Sequence, residues 1–144
     1  MMKKWTATLL ACLAAAQMHA AEWLTDVPKA LEIARAENKL VLLDFTGSDW
    51  CPYCQALQAK VLASKKFEAY ADRNLVLVKV DFPRTTKQPM ELKEANSELA
   101  GKFKVDTFPT VILLGPKGKE LKRVVGYGGK PPEKYIARLA VKEQ

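Results

Sequence analysis

Two cysteines in the run Trp50-Cys51-Pro52-Tyr53-Cys54 lie where one kind of secondary structure hands over to another. Upstream, the apolar run Leu40-Val41-Leu42-Leu43-Asp44-Phe45 reads as a buried strand; downstream, Gln55-Ala56-Leu57-Gln58-Ala59-Lys60-Val61-Leu62 has helical spacing. Three residues of separation in a first helical turn set both thiols on one face. A disulfide between them closes a very small ring, which removes little entropy from the unfolded chain and makes a poor structural staple. The same place suits chemistry, because the unpaired N–H groups and the positive dipole end at a helix start stabilise a thiolate at Cys51.

The beginning of the chain has a different character. Met1-Met2-Lys3-Lys4 is a short basic start, Trp5 to Ala16 is an apolar run, and Gln17-Met18-His19-Ala20-Ala21 offers small residues for cleavage. This three-part pattern predicts a secretory signal peptide over residues 1–20, cleaved to leave residues 21–144 as a single domain. The apolar run is shorter than the roughly 20 residues a spanning helix needs. Leu9-Leu10-Ala11-Cys12 is similar to a lipoprotein processing box that would leave Cys12 lipidated, but too little apolar sequence precedes it.

Cleavage leaves Cys51 and Cys54 as the only cysteines and removes His19, the one histidine. Without imidazole, no Ser-His-Asp or Cys-His catalytic set can form, and a zinc or copper site would have two thiolates and nothing else soft, so no metal site is expected. An oxidising compartment lets a disulfide persist. The formal net charge of +7 becomes +5 when Lys3 and Lys4 leave. The other basic residues are scattered among acids without an Arg-rich, aromatic-interleaved run, so nucleic acid is not an expected partner.

Between Thr25-Asp26, either of which can cap a helix, and Asn38, the spacing of Ala30, Leu31, Ile33 and Ala34 predicts a first helix with Pro28 in its first turn. A strand over 39–46, the turn Thr46-Gly47-Ser48-Asp49 and the cysteine helix follow, then a short helix from Ser64 through Ala71. Leu75 to Asp81 reads as a central strand and residues 82–89 as a loop. Met90 to about Gly101 reads as a helix with Leu92, Ala95, Leu99 and Phe103 on one side. Val105 to Leu114 leads into a third strand, a hairpin turn over 115–119 returns it as Glu120 to Val125, and Pro131 to Val141 predicts a last helix with Tyr135, Ile136 and Leu139 inward. Alternating strands and helices with a late hairpin give an α/β chain: a central mixed β-sheet flanked by helices on both faces.

With those residues in that order, the chain resembles the thioredoxin-like family over roughly residues 22–143. Three features carry the resemblance: the Trp50 to Cys54 motif at the strand-to-helix step, Phe108-Pro109-Thr110 before the third strand, and Asp44-Phe45 ending the first central strand. More narrowly it is similar to secreted bacterial thioredoxin-like proteins with a Gly-Ser-x-Trp-Cys-x-x-Cys approach. Its turn Thr46 to Asp49 is one residue longer than in ordinary thioredoxins.

The resemblance implies a thioredoxin fold in which Cys51 attacks a disulfide and Cys54 resolves the mixed disulfide. It implies a cis Pro109 against the cysteines, with Phe108, Pro109 and Thr110 presenting backbone to an extended substrate, and an aromatic rim from Trp50 and Tyr53 about Pro52. Asp44, near Lys79, would accept the proton of Cys54. On the residues alone, Asp44 is also readable as a strand end in a solvated turn, Pro109 as an ordinary trans proline, and Trp50 as packing for the turn. The Pro52-Tyr53 dipeptide, found in many glutaredoxins, points to a redox poise between the reducing and oxidising extremes, which span about 150 mV or roughly 7 kcal/mol.

The reading that follows is an exported, periplasmic or secreted, thiol-disulfide oxidoreductase that reduces, forms or isomerises disulfides. It needs no cofactor beyond its own dithiol. Its expected partners are protein thiols and disulfides and a membrane electron donor or acceptor, and a monomer is expected because there is no room for a dimerisation domain. The competing reading is a thioredoxin-fold binding module that holds a protein or a soft metal without turnover.

Overall fold

The structure, a computed structural model, describes residues 21–141. At its centre is a sheet with strand order β1-β3-β2-β4-β5, in which β1 is Trp23–Leu24, β2 Leu40–Thr46, β3 Leu75–Asp81, β4 Thr110–Leu114 and β5 Glu120–Val125. The first three are mutually parallel, whereas β4 runs antiparallel to β2 and β5 antiparallel to β4. Around the sheet lie α1 (Val27–Glu37), α2 (Pro52–Leu57), α3 (Lys65–Asn74), α4 (Met90–Phe103) and α5 (Pro132–Leu139). This is the thioredoxin fold that the resemblance implies.

Side-chain alternation along β2 sorts the core into two layers. Val41, Leu43 and Phe45 pack with Ala30, Ala34 and Phe103 from α1 and α4. Leu42 points the other way, into a cluster with Leu57, Phe67, Ala71, Tyr135 and Leu139 from α2, α3 and α5. Each fully buried Leu or Phe contributes about 2 kcal/mol, more than an exposed ion pair such as Lys29–Glu32, so the two-sided core holds the platform for the site. Asp44 and Thr46 share the parity of Leu42, and both are buried. Pleating therefore turns this one buried carboxyl toward the layer that carries the cysteines.

Of the two possible caps for α1, Asp26 does the work: its carboxylate accepts the Lys29 N–H at 2.9 Å, and Asn38 ends the helix at φ 54°. Several boundaries differ from those the sequence predicts. β1 is an added strand of two residues, too short for any alternation to show, and it exists by pairing Trp23 and Leu24 with Leu77 and Val78. The third long strand starts at Thr110 instead of Val105, because residues 105–109 form the turn into a cis Phe108–Pro109 bond. Helix α4 continues to Phe103, where Lys104 stops it at φ 52°. Its inward face is set by Phe103 and Asn96, whose Nδ2 donates to the Asp81 carbonyl, while Leu92 and Leu99 are only half-buried and Ala95 is exposed.

The cysteine helix is α-helical only to Leu57; residues Gln58–Leu62 widen into a π-helical turn, with the Ala63 N–H donating to the Gln58 carbonyl. α3 extends past Ala71 to Asn74, and α5 ends at Leu139, two residues short of Val141. The segment read as a signal peptide, with Cys12 and His19, lies outside the described residues.

Candidate active site

Cys51 is the N-cap residue of α2, in extended conformation, and Pro52 follows in the first turn, where a missing N–H costs nothing. Cys51 and Cys54 form a disulfide with their Cα atoms 5.2 Å apart. The Cys54 N–H donates to Cys51 Sγ at 3.3 Å, and the Gly47 N–H donates to Cys54 Sγ at 3.5 Å. Backbone donors thus meet both sulfurs, an arrangement that stabilises negative charge when the bond is opened. Cys51 is 4% exposed and Cys54 3%, so a substrate sulfur reaches Cys51 only along the rim its neighbours make. Pro52 and Tyr53 stand on that rim, Tyr53 at 67% exposure.

On the face of β2 that looks toward the cysteine layer, Asp44 is buried and not a solvated strand end. Burial pushes its carboxyl up to about 7; Lys79 opposes that shift and Asp81 adds to it. Its Oδ1 has no hydrogen-bond partner among the described residues, and neither has the hydroxyl of buried Tyr135. Burial, and after it the charge of Asp44, hold the Tyr135 phenol above its usual range. The sequence marks Tyr135 only as inward-facing; its coupling to Asp44 needs the three-dimensional approach of α5. A pocket of about 170 Å³, lined by Thr46, Cys54, Gln58 and Lys79 among others, opens beside Cys54. Its volume has room for several waters.

The wall of the site is aromatic. Trp50 is half-buried, its indole N–H donating to the Phe82 carbonyl at 2.7 Å. Its ring meets Phe108 edge-on at 6.0 Å, and Phe108 lies 5.1 Å from Phe82. Trp50 therefore both packs the turn and borders the site. Gly47 is required beneath it, since an added Cβ would clash with the indole. Pro109 is cis and buried, with its carbonyl taken by the Gly126 N–H. The side chain of Thr110 is buried as well and donates to the Thr107 carbonyl, so what Thr110 gives the site is turn geometry.

Sequence reasoning placed a loop after β3 but missed what organises it. The carboxylate of Asp49 accepts the N–H groups of Arg84, Thr85 and Thr86 and the Thr85 hydroxyl, at 2.7–2.9 Å, and these bonds hold it well below the usual carboxylate range. Ser48 is tied in the same way to Asp81. The added length of the Thr46 to Asp49 turn is the signal that could have pointed to this clamp.

Residues 27–141 match the family model described as a thioredoxin-like domain. The chain belongs to the thioredoxin-like family. Among curated relatives, it is 40% identical over 96 residues to the disulfide bond reductase DsbH of Chlamydia pneumoniae, an alignment spanning 67% of this chain and 58% of that protein. It is 30% identical over 133 residues to the thioredoxin-related protein DsbJ of the same organism, covering 87% of this chain and 38% of DsbJ. The chain thus spans well under two thirds of the length of either. A solved structure titled DsbH Oxidoreductase superposes with a TM-score of 0.78 at 31% identity, covering 93% of this thioredoxin-like chain and 92% of the other.

Proposed function

We propose that this protein is an exported thiol-disulfide oxidoreductase acting on protein disulfides through Cys51 and Cys54. The observation that carries the reading is the Cys51–Cys54 disulfide capping α2, with backbone donors on both sulfurs. In the reduced protein the Cys51 thiolate attacks one sulfur of a substrate disulfide. A Cys51–substrate bond forms, and the other substrate sulfur leaves as a thiolate. Cys54 then gives up its proton and attacks Cys51 Sγ, forming the intramolecular disulfide and releasing the second substrate thiolate; two electrons pass to the substrate.

Asp44, unpartnered and near neutrality in its ionisation, is the acceptor for the Cys54 proton, directly or through water in the adjoining pocket. Lys79 tunes that acceptor. Trp50, Pro52, Tyr53 and Phe108 build the surface on which the substrate strand lies, and buried Pro109 and Thr110 set the turn behind it. Similarity to a protein named disulfide bond reductase favours reduction as the working direction. A reductase outside the cytoplasm, reached through the leader over residues 1–20, has to be recharged by an electron donor, for which a membrane thiol-disulfide carrier is the fitting class.

The test is reduction of insulin driven by dithiothreitol. Wild type accelerates precipitation of the freed chains and Cys51→Ser does not; equal rates for the two would refute the proposal.

A further inference from the structure

The loop over residues 82–89 brings one cation to the edge of the site. The guanidinium of Arg84 lies over the Trp50 ring, 3.7 Å from its centroid, next to the residue that bears the reacting sulfur. Contact that close both stacks the guanidinium and draws it to the ring face. The position is not incidental to a floppy side chain. The backbone of Arg84, Thr85 and Thr86 is fastened to Asp49, and Trp50 is fastened to Phe82 and Phe108, so cation and ring are each held from behind.

Stacking leaves the donors of Arg84 unspent. Among the described residues its side chain has no carboxylate within ion-pair distance and donates no hydrogen bond, and the residue is exposed. The two acids that tie this region together are committed elsewhere: Asp49 to three backbone N–H groups and Asp81 to Ser48. A guanidinium stacked on a ring, on an anchored backbone and with free N–H groups, is a ready partner for a carboxylate, which it binds through two parallel hydrogen bonds.

We propose that Arg84 is a specificity-determining residue, selecting disulfides that carry a carboxylate side chain beside the reacting cysteine. The incoming sulfur lies at Cys51 while the neighbouring acidic side chain meets the guanidinium on Trp50, so the class of substrate is an acidic peptide segment around a disulfide. The inference rests on the proposed oxidoreductase function and adds its substrate preference.

Three disulfide-linked peptide dimers, identical except for Glu, Gln or Lys beside the cysteine, test it. The second-order rate constant for oxidation of the pre-reduced protein is measured for each and divided by the rate of the same peptide with dithiothreitol, which removes the peptide's own reactivity. Wild type is expected to favour Glu over Gln by about fivefold at low salt, as for a partly exposed charge pair, with the ratio falling at high salt. Arg84→Gln brings the ratio to one, Arg84→Glu turns the preference toward Lys, and Lys87→Gln keeps the wild-type ratio. A mere loss of loop structure would not invert the preference.

A corrected wild-type ratio of one, or a ratio that survives Arg84→Gln, overturns the inference. Labelled peptides with serine in place of cysteine, measured by fluorescence anisotropy, give the same comparison without turnover. Failure of even the Gln dimer to react would therefore refute the oxidoreductase reading, while Arg84 would still be judged by whether the Glu peptide binds more tightly than the Gln peptide.

Discussion

Asp44 and Lys79 are direct partners across the β2–β3 pair, yet they do not form an ion pair: the ammonium of Lys79 lies 5.6 Å from the centroid of the Trp23 ring, and the carboxyl of Asp44 is left buried with an unpartnered oxygen. Its ionisation is displaced from 3.8 to about 7 for that reason. Between those values the folded protein binds more protons at this site than the unfolded chain does. Stability from this group is therefore fullest below 3.8, falls as pH rises to about 7, and is flat above. A shift of that size costs about 4 kcal/mol above the window. Asp44→Asn removes the dependence. Set against an unpaired amide costing about 2 kcal/mol, the variant should be about 2 kcal/mol more stable than wild type at pH 8 and less stable at pH 4. Urea titrations of the oxidised proteins at the two pH values check this.

The same substitution should slow the release of substrate, because the neutral amide cannot take the Cys54 proton. The mixed disulfide should persist about a hundredfold longer near pH 7, the low end of what a general base contributes. Acid quenching followed by mass spectrometry of the trapped species measures the decay; an unchanged lifetime would remove Asp44 from the mechanism.

Lys79→Met takes away the charge that holds the Asp44 carboxyl down. The midpoint should move above its present value of about 7, widening the pH window in which stability declines. Carbon-13 NMR titration of the Asp44 carboxyl reads the midpoint directly. A downward movement would mean that Lys79 acts on Asp44 by some route other than its charge.

What the sequence reveals, and where it fails, follows from the reach of each signal. The apolar runs of β2 and β3 and the cysteine spacing are local patterns, and they locate the strands, the two-layered sheet and the reactive pair. Pro109 as a cis residue is legible only through the family resemblance, because on its own an X–Pro bond reads as trans. β1 is invisible because two residues, Trp23 and Leu24, have no period; their strand is conferred by Leu77 and Val78. The π-helical turn after Leu57 likewise leaves the apolar spacing of Leu57, Val61 and Leu62 unchanged. Arg84 and Asp49 are 35 residues apart in the chain, and beyond the added length of the Thr46 to Asp49 turn nothing in either neighbourhood announces that one carboxylate organises the other's loop.

That carboxylate yields the last prediction. Three consecutive backbone N–H groups, of Arg84, Thr85 and Thr86, converge on Asp49, with the Thr85 hydroxyl alongside. Convergent donors of this kind act as a small anion nest, and the carboxylate closes the loop on itself. Asp49→Ala deletes the acceptor and leaves four donors facing solvent. Residues 84–86 are exposed and belong to neither core layer, so global unfolding should move little. The amides of residues 84–86 should instead exchange with deuterium much faster, while those of β3 remain protected. With its backbone loosened, Arg84 should spend less time over Trp50, and the preference for acidic peptides should shrink toward that of Arg84→Gln. Hydrogen exchange read beside the Glu-to-Gln rate ratio ties the two effects together. Fast exchange with the preference intact would show that stacking on Trp50 suffices to hold Arg84, and slow exchange would show that the loop does not depend on Asp49.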